Sequence, residues 1–207
     1  MLKRRMDLKS IADKVQHEVN VVQGNEARDV SYVSQNTFAN DVETDNAFAR
    51  SVEKLLHVNG WSGLSNFTAD FELYDQHGQR KPDGKADIGD YIKIVLPGPM
   101  PENWVRVIDC SAKKHCVDFT VQPTHDPASP NPEQVDHFFS NEARSIFRVE
   151  RVGTTITASE IGRHEAINNQ QPAAGDRAIV NTAIAEGGWL FYQKLQWKLL
   201  TDCLVHL

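Results

Sequence analysis

A chain of 207 residues has room for one domain of generous size, or one domain with appendages, and not for two full ones. With 40% hydrophobic and 24% charged residues, 12 glycines and 9 prolines, it is composed like a globular protein and unlike a disordered or fibrous one. The net charge of −6 lacks the global footprint of a nucleic-acid binder, and no apolar run nears the roughly 18 residues of a membrane-spanning helix.

At the N-terminus, Met1-Leu2-Lys3-Arg4-Arg5 supplies the basic flank of a signal peptide, but Asp7, Lys9, Asp13 and Lys14 interrupt every hydrophobic segment behind it. We therefore expect no secretion by that route. Leu8, Ile11, Val15, Val19 and Val22 recur at steps of three or four, which predicts an amphipathic helix over residues 2–22 that docks on its own domain or on a protein partner. Residues 1–28 are thus read as a helix and linker, and residues 29–207 as a single domain.

Asp29 to Val33 alternates weakly and predicts a short strand. Asp45-Asn46 offers capping side chains ahead of Phe48, Val52, Leu55 and Leu56, one face of a helix ended by Asn59-Gly60. The period then changes from 3.6 to 2. Phe67, Ala69, Phe71 and Leu73 alternate with Thr68, Asp70 and Glu72, a clear strand signature. Pro82-Asp83-Gly84 marks a turn, because proline presets φ and glycine accepts a positive one, and Asp83, Asp87 and Asp90 are assigned to a solvated loop. Tyr91 to Leu96, Trp104 to Cys110 and Cys116 to Gln122 are the next strands. A proline-rich insertion, residues 123–142, interrupts them, with Asn131-Pro132 expected to open a short helix through Phe138. Arg144 to Val152 and Thr155 to Ile161 form a hairpin turning at Gly153. From Asp176, Val180, Ile184, Gly187, Phe191 and Leu195 mark one helical face and Leu190, Trp197 and Leu204 a neighbouring one, which predicts one long helix of roughly 28 residues, with Gly187-Gly188 in its middle costing roughly 1 kcal/mol each against alanine.

The fold class expected is α+β: an antiparallel meander sheet covered by the long C-terminal helix, with an extra N-terminal helix. This order resembles the helix-grip fold of the START-like superfamily, which includes polyketide cyclases, aromatase-type proteins and lipid-transfer domains. The resemblance is carried by Val30 to Phe38 leading into the Asp45 to Leu56 helix, by Trp61, by Gly89-Asp90 opening a strand, and by Arg144-Ser145-Ile146-Phe147 ahead of Thr155-Thr157 and the last helix. It implies a cavity between a curved sheet and the helix, used for apolar small molecules. The N-terminal helix and the proline-rich insertion depart from the minimal fold.

Cys110, Cys116 and Cys203 cannot all pair, and no Cys-x-x-Cys occurs, so neither a disulfide framework nor a thiolate zinc cage is expected. This suits a reducing, cytoplasmic setting; a bridge between Cys110 and Cys116, near the ends of neighbouring strands, stays open. His115, His125, His137 and His164 fall on different loops and strand ends, and no metal or cofactor is expected. Phosphate-cradling, dinucleotide-binding and nucleophile-elbow motifs are all missing.

If the helix covers the sheet, Phe71, Ile94, Val107, Phe119 and Phe147 from the strands and Phe191 and Leu195 from the helix face the interior and become ligand-binding candidates. The leading functional expectation is a non-catalytic domain binding an apolar small molecule or a protein partner in that groove. A cavity below about 300 Å³ counts against the small molecule. One alternative is a cyclase- or hydrolase-type enzyme using Glu160, His164 or Tyr192 as acid and base groups. A buried Glu160 would need a partner, for which Arg148 offers itself if its strand slips by one residue; an edge position for Glu160 is the plainer expectation. Another alternative is an assembly subunit docking through its N-terminal helix.

Overall fold

The computed structural model describes residues 26–98, 100–169 and 189–207, with Asn20 and Gln23; the side chains of residues 189–191 fall outside that description. Apart from Asn20, the helix expected over residues 2–22 lies outside the described residues, as does the first half of the long C-terminal helix with its Gly187-Gly188 pair.

Seven strands form one antiparallel sheet: β1 (Arg28–Thr37), β2 (Asp70–Tyr74), β3 (Tyr91–Val95), β4 (Asn103–Lys113), β5 (Cys116–Pro123), β6 (Arg144–Val152) and β7 (Thr155–Glu165). Their spatial order is β1-β7-β6-β5-β4-β3-β2. Strands β2 to β7 are therefore a continuous meander, and β1 returns to the far edge beside β7. Helix α1 (Asp41–Leu56) and a 3-10 turn (Val58–Trp61) connect β1 to β2, and helix α2 (Trp189–Leu204) closes the chain. Two tight hairpins fix the meander's register. Lys113 pairs with Cys116 and Val152 with Thr155, the second turn using Gly153 at φ 58°, a conformation that glycine adopts at no steric cost.

Period-2 patterning decides which face is inside. Along β5, buried Val117, Phe119, Val121 and Pro123 alternate with half-buried neighbours, and along β7 Ile156, Ala158, Glu160 and Gly162 are all buried. Helix α2 lies over this face along β1. Ser34 Oγ meets Thr201 Oγ1 at 2.8 Å, and Asn36 Nδ2 donates to the Val205 carbonyl at 2.9 Å. The carbonyls at the end of α2 that lack an intrahelical partner are received by α1: Ser51 Oγ donates to Leu204 O at 2.6 Å and Lys54 Nζ to Cys203 O at 2.8 Å.

Several boundaries differ from the sequence expectation, each for a local reason. Helix α1 starts four residues early because Asn40, not the Asp45-Asn46 pair, is the cap, its side chain accepting from Glu43 N at 2.9 Å. Phe67, expected in β2, is 71% exposed, since Ser65 and Thr68 fold residues 65–68 into a hydrogen-bonded turn. Asp90 is buried, accepting from Lys81 Nζ at 2.6 Å and from Asp87 N at 2.9 Å, so it is a structural anchor and not part of a solvated loop. Cys116 stands opposite Lys113 and Cys110 opposite Phe119, and the three cysteines are free thiols.

The helix expected from Asn131-Pro132 is absent; that stretch runs as turns. It is tied instead to the start of β4, through Trp104 N to Asp136 O at 2.7 Å, and to the residue after β5, through Asp136 N to Thr124 O at 2.9 Å. Phe138, Phe139 and Ala143 then build a small second core with Ile167. Among the described residues no helix is long and apolar enough to cross a membrane.

Candidate functional site

The interior of the fold contains a chamber between the sheet and α2. Four rings shape it: Trp61 from the 3-10 turn, Phe71 from β2, Phe147 from β6 and Trp197 from α2. They contact one another, Trp61 to Phe147 at 4.8 Å, Phe147 to Trp197 at 5.3 Å and Trp61 to Phe71 at 5.5 Å between centroids, within the range of favourable tilted and edge-to-face packing. Ile92, Ile94 and Val105 add aliphatic wall, and His137 and Phe139, with Ala143 just beyond, bring the proline-rich insertion in as one side. That insertion is therefore part of the chamber, a role its composition did not announce. The free volume is about 50 Å³, room for a few waters and well below the roughly 300 Å³ of a site for a drug-sized ligand.

Helix α2 supplies the polar groups. Gln193 Nε2 donates to Glu165 Oε1 at 2.8 Å, while Gln193 Oε1 accepts from Arg28 at 2.5 Å. Gln196 Oε1 accepts from Ala69 N at 2.7 Å, which fixes the amide and leaves its Nε2 buried with no hydrogen-bond partner among the described residues. Trp197 Nε1 is in the same condition. Two donors thus stand unsatisfied on the helix side of a largely apolar room, whose other polar lining comes from Asn103, His137, Ser145, Tyr192 and Gln193.

Beside the chamber lies a carboxyl pair. Glu160 is completely buried and stands between Phe147 of β6 and Tyr32 of β1 in the ladder. Neither of its carboxyl oxygens has a hydrogen-bond partner among the described residues. Glu165 curls back over Gly162: a Cβ at that position would sit 2.3 Å from Glu165 Oε1, so any side chain there would have to displace the carboxyl. Arg28 Nε reaches Glu165 at 3.1 Å, the glutamate buried and the arginine half-buried.

Burial, reinforced by the charge of Glu165, raises the Glu160 pKa well above the ordinary glutamate value; Ser145 and Arg28 oppose this only weakly. Burial also raises Glu165, against the pull of Arg28 and Gln193, and pushes the Tyr192 phenol up to about 12. Because folded Glu160 holds its proton more tightly than the unfolded chain does, its contribution to stability is complete below about pH 4.3 and is lost as pH rises toward the folded value, at ~1.4 kcal/mol per pH unit. Glu160→Gln is accordingly expected to match the natural protein near pH 4.3 and to become progressively the more stable of the two as pH rises to 8. Urea unfolding across that range checks it; a pH-independent difference would show that Glu160 ionises in the folded protein as it does unfolded.

No protein-family model matches this chain, and no curated protein shows significant similarity to it. Among solved structures, a hypothetical protein from Helicobacter pylori is 11% identical, with 100% of this chain and 96% of that one covered and a TM-score of 0.54. The ginseng major latex-like protein 151 from Panax ginseng (10% identity, 78% and 97% covered, TM-score 0.40) and a point mutant of norcoclaurine synthase from Thalictrum flavum in complex with a transition-state analogue (10%, 87% and 96%, TM-score 0.42) are also similar. The fold is helix-grip. At 11% identity the likeness to the Helicobacter pylori protein is one of architecture alone; the strand order and the position of α2 are what define the fold here.

The sequence-derived candidates are distributed as follows. Phe71, Ile94 and Phe147 line the chamber. Val107 and Phe119 are buried in the core and are not among its lining residues; Phe119 lies behind Trp61, stacked on it at 5.8 Å. Leu195 is half-buried on the flank of α2, and the Phe191 side chain lies outside the described residues. Tyr192 lines the chamber and Glu160 lies beside it. His164 is exposed, its backbone N–H donating to Asp29 at 3.0 Å. Arg148 pairs with Asp118 at 3.3 Å and stands opposite Ser159, so no register slip brings it to Glu160. Sequence reasoning missed Gln193 and Gln196, and put Trp197 on a second apolar face of the helix without making it a site candidate. The signal was available, since these positions continue through Leu200 and Leu204 at helical spacing, but two glutamines on that face disguised it. Among the described residues no cluster of histidine, cysteine and carboxylates is arranged to hold a metal.

Proposed function

We propose that the chamber between the sheet and α2 binds a small, largely apolar molecule that carries a hydrogen-bond acceptor. The observation that carries this reading is the pair of orphaned donors, Gln196 Nε2 and Trp197 Nε1, buried in aromatic surroundings. A buried donor without a partner costs about 1–3 kcal/mol, and an occupant with an acceptor oxygen removes that cost while covering the rings. With about 50 Å³ free, even a one-ring occupant requires α2 to shift outward, so larger molecules bind at the expense of the helix's own contacts. The absence of any catalytic motif in the sequence favours binding without turnover.

Native mass spectrometry of the gently purified protein tests this. The natural protein is expected to carry or take up a small organic mass, and Trp197→Phe, which keeps the ring stack but loses the donor, to hold it roughly fivefold less tightly, the equivalent of one hydrogen bond. A bare mass, together with tryptophan emission that is unmoved by millimolar one-ring aromatics, would contradict the proposal.

A further inference from the structure

We propose that strand β1 is a self-pairing edge: two copies of the chain join antiparallel along residues 31–37, about a two-fold axis at Ser34, into one continuous sheet.

The two edges of the sheet are finished differently. On β2 the outward backbone groups are taken up by the chain itself. Phe71 N donates to Ser62 Oγ and Leu73 N to Asn59 Oδ1, both at 2.8 Å. The carbonyls of the same two residues accept from Ser62 Oγ at 3.2 Å and from Lys81 N at 2.8 Å. Just before the strand, Ala69 N donates to Gln196 Oε1 at 2.7 Å. That edge is sealed against a further strand.

Strand β1 is twice as long, 10 residues against 5, and it is unsealed. Phe38 N donates to Thr154 O at 2.9 Å, and β1 keeps an unbroken register with β7 from Val30 to Thr37. The alternation of an antiparallel ladder therefore turns the N–H and C=O groups of Ser31, Val33, Gln35 and Thr37 away from β7. All four residues are exposed, and none of these backbone groups has a hydrogen-bond partner among the described residues. Helix α2 takes the side chains of Ser34 and Asn36 and bonds none of the four. The usual guards of an open edge are missing as well, since residues 30–37 contain no lysine, no proline and no bulge.

The sequence of the edge suits a second copy. With Ser34 on the axis, Ser31 meets the partner's Thr37 and Val33 meets the partner's Gln35, so every outward N–H and C=O gains a partner and the register closes on itself. No charged side chain faces another along that stretch, because Arg28 and Asp29 fall beyond it. Beside the axis, Lys198 Nζ and Asp202 Oδ1 lie 3.2 and 2.6 Å from Ser34 Oγ. Each copy thus brings one cation and one anion to the junction.

Sedimentation velocity and amide hydrogen exchange on the natural protein test this without any substitution. Between about 10 μM and about 500 μM, where a small and weak interface titrates, the mass is expected to pass from one chain to two. Over the same range the amides of Ser31, Val33, Gln35 and Thr37 should slow by about threefold. Val33→Lys/Gln35→Lys sets like charges opposite each other across the axis and is expected to stay a monomer, as is Val33→Glu/Gln35→Glu. An equimolar mixture of the two should regain the two-chain mass. Both positions are exposed, so the circular dichroism of each variant should match that of the natural protein.

A one-chain mass with four fast amides at about 500 μM overturns the inference, whether the edge stays bare or serves a strand of another protein. A dimer that persists in both charge variants, or a mixture of folded variants that does not pair, also overturns it, by placing the contact elsewhere.

Discussion

Replacing Arg28 by methionine is expected to lower stability by about 3 kcal/mol at pH 7 and by less than about 1 kcal/mol at pH 5. Removing one partner of a buried ion pair ordinarily costs about 3–5 kcal/mol, because the other charge is left in a poor solvent. Here the abandoned partner is Glu165, 1% exposed at its side chain and already raised by burial. It has an escape, since it can take a proton. Protonating a carboxyl of ordinary pKa at pH 7 costs about 3.7 kcal/mol, which caps the ionic part of the loss, and the cap shrinks to about 1 kcal/mol at pH 5. Methionine keeps most of the apolar stem of Arg28, so the pH dependence reports the charge. Urea unfolding at the two pH values reads both numbers; equal losses would place the contribution of Arg28 in packing and not in its pairing with Glu165.

Trp61→Ala is expected to cost about 3–5 kcal/mol, the range for deleting a large buried ring. Trp61 is 2% exposed. Its ring touches Phe71, Phe119 and Phe147, and its Nε1 donates to the Lys54 carbonyl at 2.9 Å, tying the 3-10 turn to the end of α1. The substitution therefore opens a void under the sheet and removes the partner of a helix-terminal carbonyl together. Trp61→Phe, which restores part of the ring volume but not the donor, should recover roughly half of the loss. A loss below about 1 kcal/mol for Trp61→Ala would mean that the aromatic cluster is not the keystone of this core.

The sequence made the architecture readable because period-2 alternation runs from β2 to β7 without a break in phase large enough to hide it, and because Gly153 and the Lys114-His115 turn mark the hairpins. Element ends were less readable. Asn40 and the Ser65–Thr68 turn act through side chain to backbone hydrogen bonds, which leave no periodic trace. The chamber was half legible: Phe71, Ile94 and Phe147 follow from strand phase, but the site candidates on α2 were taken from the Phe191 and Leu195 face and not from the neighbouring Trp197 and Leu204 one, when burial follows Gln193, Gln196, Leu200 and Leu204. Hydrophobicity alone misplaces a helix face whose polar residues have work inside. Glu160 failed for the same reason. Its position on the inward face of β7 was plain, and only the assumption that an unpaired carboxyl avoids the interior argued for the sheet's edge. The proline-rich insertion could not have been placed from sequence, since its contribution depends on Asp136 and Thr124 docking it against β4.

The central claim is that the room under α2 is a binding site. Backbone and indole NMR shifts followed during titration with acetophenone test it most directly. Shifts are expected to concentrate at Phe71, Phe147, Gln196 and the Trp61 and Trp197 indoles, and to saturate together. Shifts confined to the outer face of the sheet, or none at millimolar ligand, would contradict it.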